Sequence, residues 1–187
     1  APLFDVEAPY VAEMVRQEIA SRSGAAALNS GYRLHTTIDG RMQAAADRAL
    51  RLGLIAYDRR HGYRGPLDQV RLDEAALGSP ERLEARLASV PSVGSLMPAV
   101  VVSVAPNSAR AYVRGAGYAQ IDWEGLSWAA RRVSNTRTGA APRRAEEVVR
   151  RGDIVYVVGG PPGPVQLAQS PEAQAALVAL DPTDGAV

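Results

Sequence analysis

The chain has 187 residues, enough for one sizeable domain with flanks or for two small ones, and its 47% hydrophobic content can fill a core although aromatics are only 5%. A formal net charge of +1 excludes the global cationic field that marks an obligate nucleic-acid binder. Without cysteine or lysine the chain has no disulfide, no thiolate nucleophile, no cysteine metal site and no lysine-activated serine, and all 21 of its cations are arginine.

In chain order, Pro9 stands where a helix begins, and Val11, Met14, Val15 and Ile19 follow at helical spacing until Ser23-Gly24. Residues 31–38 alternate Tyr32, Leu34, Thr36 and Ile38 with Arg33, His35 and Thr37, which predicts a strand. Asp39 is a candidate N-cap for a helix carrying Met42, Ala45, Ala46, Ala49, Leu50, Leu54 and Tyr57 on one stripe. The charged, glycine-punctuated run from Asp58 to Pro66 is expected to end that helix and to open a new module. Ser79-Pro80 starts a short helix with Leu83 and Leu87 on one side.

Five short strands are predicted next, at 99–105, 109–114, 118–123, 153–158 and 165–169. Val100, Val102, Val104, Ala111, Val113, Ala119, Ile121, Trp123, Val155, Val157, Val165 and Leu167 are expected to form their core. A short helical piece at 125–129, a long polar loop over 131–144 and a helical turn over 145–151 separate the third strand from the fourth, and the loop 159–164 separates the last two. Five short strands with the long connection between the third and fourth are the ingredients of an OB-type barrel, with an SH3-like barrel as second choice. After Pro171, residues 176–180 predict a further strand, Asp181 to Gly185 a turn, and Ala186-Val187 the start of a return. This last piece has no place in the barrel and is expected to pair with 31–38 in a sheet of a neighbouring domain. No apolar run reaches bilayer length, and the endings of the chain favour a piece of a larger protein.

Catalytic readings fail on residue chemistry. His35 and His61 stand in no nucleophile-elbow or metal-ligand spacing, and no G-x-S-x-G occurs. The prolines of the 159–164 loop remove the amide donors that a phosphate loop needs. Arg137-Thr138-Gly139 resembles a K-T-G element only in outline and lacks any S-x-x-K partner. No cofactor or metal is implied.

Two binding candidates remain. Arg110, Tyr112 and Arg114 alternate on the second barrel strand, on the face with which OB barrels bind oligosaccharides or nucleic acids; the competing reading is a solvated edge. Seven arginines lie between Arg131 and Arg151, among them Arg131, Arg132, Arg143 and Arg144, and these could meet an acidic partner. Trp128 is either a lid on the barrel or part of an interface.

The stretch Ala8-Pro9-Tyr10-Val11-Ala12-Glu13-Met14-Val15-Arg16-Gln17-Glu18 and the stretch Gly31-Tyr32-Arg33-Leu34-His35-Thr36-Thr37-Ile38-Asp39 resemble the segment that joins the two catalytic domains of class A penicillin-binding proteins. Tyr57-Asp58-Arg59-Arg60-His61-Gly62-Tyr63-Arg64-Gly65-Pro66 narrows the resemblance to the 1a type of that family. In that type an OB-like module is inserted ahead of the transpeptidase domain. Trp123-Glu124-Gly125-Leu126-Ser127-Trp128-Ala129 resembles a motif inside the module, and residues 176–187 resemble the first strand and turn of the transpeptidase domain.

The resemblance implies a mainly β fold, with an OB-like barrel between helical flanks and terminal strands that belong to a transpeptidase sheet. It divides the chain into a helical linker (1–30), a strand–helix flank (31–58), the OB-like docking and regulatory domain (59–170) and the start of the transpeptidase domain (171–187). It implies a non-catalytic region of a bifunctional peptidoglycan synthase, periplasmic and anchored by a segment outside the chain. The parent would polymerise glycan strands and cross-link peptides in domains on either side. The implied partners are those two domains, an outer-membrane lipoprotein activator and peptidoglycan.

Overall fold

A computed structural model describes residues 7–160 and 163–186 of the chain. The chain divides into two units, residues 1–53 with 175–187, and residues 54–174.

In the first unit, helix α1 (Pro9–Ser23) starts on its proline and stops at Gly24, whose φ of 78° only glycine adopts readily. Asp39 caps helix α2 (Gly40–Arg60), its Oδ1 accepting from the amides of Arg41 at 2.8 Å and Met42 at 3.2 Å. Residues 31–38 and 176–180 do not form the expected strands, and Tyr32, Leu34, Val178 and Leu180 are exposed. An alternating face or an apolar run is only a strand candidate in need of a neighbour, and among the described residues neither segment has a ladder partner. The turn after them does form: the Asp181 carbonyl accepts from Gly185 N and its Oδ1 from Thr183 N, each at 2.8 Å. Val187 lies outside the described residues.

Helix α2 runs through Arg60 rather than ending at Asp58. Nothing breaks it before Gly62 (φ 88°), and Arg59 and Arg60 place cations at its negative end.

The second unit is the β module. Its strands are β1 (Asp68–Gln69), β2 (Met97–Ala105), β3 (Ser108–Val113), β4 (Gly117–Asp122), β5 (Arg132–Ser134), β6 (Arg137–Thr138), β7 (Asp153–Val158) and β8 (Gln166–Ala168). Antiparallel pairing runs β4-β3-β2-β7, and β7 also carries β1 opposite its start and β8 opposite its end. A parallel bridge between Ile121 and Val165 brings the start of β8 back to β4. The strands β2, β3, β4, β7 and β8 therefore run round a partly open, five-stranded OB-like barrel.

Strand β2 carries apolar residues on both faces, and its phase differs from the expected one. Ala99 and Val101 point into the barrel with Ala111, Val113, Ile121, Val155, Val157 and Leu167. Val100 and Val102 lie on the opposite face with Leu72, Leu83, Leu87, Tyr112 and Ile154. A bulge between Val101 and Ser103 shifts the register, so that Val104 returns to the barrel side. The second face is covered by helices α3 (Glu74–Leu77) and α4 (Pro80–Leu87), and Leu83 and Leu87 are completely buried there. Ser79 caps α4, as the Ser-Pro pair predicts. Helix α5 (Trp123–Leu126) follows β4. The polar stretch 131–144 is not all loop, because β5 and β6 pair within it as a separate hairpin. The predicted turn at 145–151 is a single 3-10 turn over Ala145–Glu147. In the loop between β7 and β8, Gly163 N donates to Gly160 O at 2.7 Å, while Pro161 and Pro162 lie outside the described residues.

Candidate docking surface

The face of β3 that was expected to be cationic and aromatic is largely covered. Tyr112 is buried beneath α4, donates its hydroxyl to Glu84 at 3.0 Å and meets Tyr118 edge-on at 5.3 Å. Burial, reinforced by Glu84, raises the Tyr112 phenol above its ordinary pKa. Arg114 closes the end of α4, donating to the carbonyls of Leu87 and Val90 and to Ser92 Oγ. Tyr118 donates to Leu77 O at 2.8 Å. Only Arg110 stays exposed, its guanidinium 4.7 Å from the Tyr118 ring centroid. The apolar residues between 70 and 90 need a surface to cover, and this face supplies it. The aromatic platform that an OB-type oligosaccharide or nucleic-acid site needs is thus spent on internal packing.

Trp128 is half-buried and braces the two ends of the module. Its Nε1 donates to Leu167 O at 3.2 Å, Tyr63 meets it edge-on at 5.9 Å, and the Arg59 guanidinium lies 5.2 Å from its ring centroid. Arg59 also donates to Gln166 Oε1 at 3.0 Å. These contacts fix where the chain enters the barrel to where it leaves it.

The arginines of 131–151 divide into two sets. Arg131, Arg137, Arg143, Arg144 and Arg150 are exposed and make no ion pair among the described residues. Arg132 and Arg151 are engaged, Arg132 with Glu172 and Asn135, and Arg151 with Leu72 O. The β5–β6 hairpin and the residue before it carry Arg131, Arg132 and Arg137 on one short segment with Val133, which is 52% exposed. Backbone bonds from Tyr63 N to Ala130 O (2.7 Å), Arg132 N to Tyr63 O (2.9 Å) and Gly139 N to Arg131 O (2.7 Å) anchor its base. Arg143 and Arg144 stand on another segment. It is held by Ala145 N donating to Pro106 O at 2.9 Å and by Glu147 accepting from Arg143 N at 2.9 Å.

Four residues at the base of the module escaped the sequence reading. Asp58, Arg64, Gln169 and Glu172 form one polar network. Arg64 Nη1 bonds Asp58 Oδ1 at 2.7 Å, Nη2 donates to Ser170 O, and Nε lies 3.4 Å from Glu172 Oε1. Gln169 accepts from Arg64 N at 3.0 Å and donates to Gly62 O at 2.9 Å. The run Asp58 to Arg64 showed charge at a boundary, but its partners lie more than 100 residues on and leave no local signal.

Tyr63, 4% exposed, has a buried hydroxyl with no hydrogen-bond partner among the described residues, and burial with the nearby Asp153 charge pushes its phenol well above the ordinary value of 10.0. A raised folded-state pKa gives stability that is present below pH 10 or so and is lost as pH climbs through the folded value. Tyr63→Phe is therefore expected to be neutral or slightly stabilising at neutral pH, since it removes an unpaired hydroxyl. It should also flatten the alkaline loss of stability, read as the shift in urea midpoint between about pH 8 and about pH 11. An unchanged alkaline slope would contradict the assignment.

Chemically, the surface is suited to holding carboxylates. No group of three or more His, Cys, Asp or Glu side chains arranged to hold a metal occurs among the described residues. His61 is occupied, with Nδ1 2.8 Å from Tyr57 O.

Comparison with known proteins decides the family. Residues 63–173 match the family described as penicillin-binding protein OB-like domain. The chain belongs to that family. The similarity extends beyond the OB-like domain, to penicillin-binding proteins 1A from several species. The Escherichia coli protein is 38% identical over 100% of this chain, and that of Pseudomonas aeruginosa 37% over 98%. The crystal structure of penicillin-binding protein 1A from Haemophilus influenzae superposes with a TM-score of 0.60 at 30% identity, covering 91% of this chain and 24% of that one. The chain spans 22% of the length of both curated relatives. The OB-like domain thus accounts for the barrel, for its helical cover and for the hairpin set into it.

Proposed function

We propose that this chain is the non-catalytic docking and regulatory region of a bifunctional peptidoglycan synthase, and that it receives an outer-membrane lipoprotein activator on the face carrying the β5–β6 hairpin. The region works in the periplasm. The parent's glycan polymerisation and peptide cross-linking lie in domains outside it, which the region contacts through its flanks. The observation that carries this reading is the hairpin itself. It is anchored at its base by three backbone hydrogen bonds, and it carries an exposed valine together with Arg131 and Arg137, which make no ion pair among the described residues. An exposed apolar residue on the same hairpin as two unpaired guanidinium groups suits a protein with an acidic rim, where charge sets encounter and the apolar contact holds.

The test is binding of purified outer-membrane lipoproteins from the same cell to the full-length parent, wild type against the double variant Arg131→Glu, Arg137→Glu. Reversing two unpaired cations should weaken binding by about 100-fold or more at low salt, with the thermal transition unchanged. Equal affinity for both proteins would overturn the reading.

A further inference from the structure

Arg64 and Arg132 hold a carboxylate between them. Their side chains are only 23% and 20% exposed, and both are oriented by other bonds: Arg64 by Asp58 and Ser170 O, Arg132 by Asn135. The carboxylate they hold is Glu172, which is 61% exposed and lies on the segment leaving the barrel. Arg132 takes one oxygen of Glu172, and Arg64 Nε lies 3.4 Å from the other. The hydrogen bond from Arg132, with the charge of Arg64 beside it, holds Glu172 below the ordinary carboxylate range. Two pre-oriented, half-buried guanidinium groups around one solvent-facing carboxylate have the geometry of a carboxylate-recognition site. Here that site is filled by the chain's own return segment.

We infer that the Arg64–Arg132 cradle is a binding site for an acidic side chain of a partner protein, and that Glu172 occupies it in cis as a displaceable placeholder. This inference rests on the docking reading above and deepens it. Arg132 belongs to the β5 strand, so a partner seated on the hairpin meets the cradle at once. Its carboxylate competes with Glu172, and displacement removes one of the ties that hold the exit segment to the entry segment at Arg64. Occupancy of the hairpin is thereby coupled to the geometry of the two chain connections of the module. The coupling is reciprocal: whatever loosens Glu172 also favours the partner.

The competition has a sign that a simple stabilising ion pair lacks. The probe is fluorescent poly-L-glutamate, with binding to the whole chain followed by anisotropy at low salt. Glu172→Gln keeps shape and removes the competing charge, and it should tighten binding about fivefold, within the range of typical site couplings. Glu146→Gln neutralises another exposed acid within the arginine-rich stretch and serves as the control for net charge; it should tighten binding by much less. In an Arg132→Gln background the gain from Glu172→Gln should vanish, because the two changes act on one interaction. Glu172→Gln is conservative and surface-exposed, so its folding is not at risk, and the melting transition checks the others. If poly-L-glutamate binds but Glu172→Gln and Glu146→Gln have equal effects, the placeholder is overturned while docking stands. If the gain survives in Arg132→Gln, the cradle is overturned. If the wild type does not bind the probe at all, the docking reading falls and the inference falls with it.

Discussion

Gly152→Ala should destabilise the barrel by about 2–5 kcal/mol, a large part of the 5–15 kcal/mol that holds a typical domain together. Gly152 sits at φ 90° where the chain turns from the 3-10 segment into β7, a conformation that side-chain-bearing residues rarely adopt. A Cβ there would lie 2.2 Å from Val70 O, a backbone atom with no rotamer through which to retreat. The position is also tied on both sides, with Gly152 N donating to Val101 O and Val70 N donating to Gly152 O, each at 2.8 Å. Relieving the clash breaks the second bond and pulls β1 from β7. The strain, at about 1–2 kcal/mol, and a lost buried hydrogen bond with its desolvated partners, at about 1–3 kcal/mol, act together.

Gly115→Ala is the control for Gly152→Ala. Gly115 also has positive φ (72°), yet nothing lies within 4 Å of its added Cβ, so it isolates the conformational cost at about 1 kcal/mol. Urea denaturation of both variants measures the difference, and equal midpoints would show that the contact with Val70 yields.

Most of the barrel was legible because its strands satisfy their own alternation locally. The predicted fourth strand, 153–158, coincides with β7, and the others lie within two residues of their observed ends. The phase of β2 was not legible. Val100, Val101 and Val102 are apolar in succession, and a strand buried on both faces has no period to read. The bulge that resets Val104 depends on the pairing of Val101 and Ser103 with β3, not on composition. That one gap explains the misplacement of Tyr112. Ser79-Pro80 signals the short helix α4, but nothing local signals the sheet face that receives Leu83 and Leu87, so the alternation of Arg110, Tyr112 and Arg114 reads as an outward face.

The terminal segments err in the opposite direction. Residues 31–38 alternate as a strand does and 176–180 form a run of apolar residues, yet a strand exists only when a neighbour takes up its amides and carbonyls. The β5–β6 hairpin has no sequence signal because Arg132–Ser134 and Arg137–Thr138 are only three and two residues long, Val133 is their single apolar residue, and their turn, Asn135-Thr136, carries no glycine. Of the candidate site, the arginine-rich stretch was visible as charge. Which arginines are free could be settled only by finding Glu172 and Asn135 beside Arg132.

Arg64→Ala should cost about 2–4 kcal/mol, below the full value for breaking a buried pair because the guanidinium is about a quarter exposed. The loss arises at its partner. The Asp58 side chain is 6% exposed, one carboxylate oxygen takes the Arg64 bond at 2.7 Å and the other is buried without a hydrogen-bond partner among the described residues. Removing the arginine strands a nearly buried carboxylate at the end of α2, where the helix dipole is itself negative. It also releases Ser170 O and loosens Glu172, so the strands nearest the exit should fray first. Asp58→Asn leaves Arg64 with Ser170 O and Glu172 and should cost about 1–2 kcal/mol. The decisive comparison is the double variant: with Asp58 already neutral, loss of Arg64 strands no charge. Arg64→Ala with Asp58→Asn should therefore be no less stable than Arg64→Ala alone, giving a coupling of at least about 1 kcal/mol by urea denaturation. Additive losses would mean that Asp58 finds water once Arg64 is gone. The link between the entry and exit of the barrel would then rest on the Trp128 and Arg59 contacts and on Gln169, which bonds Gly62 O and Arg64 N through atoms that neither substitution removes.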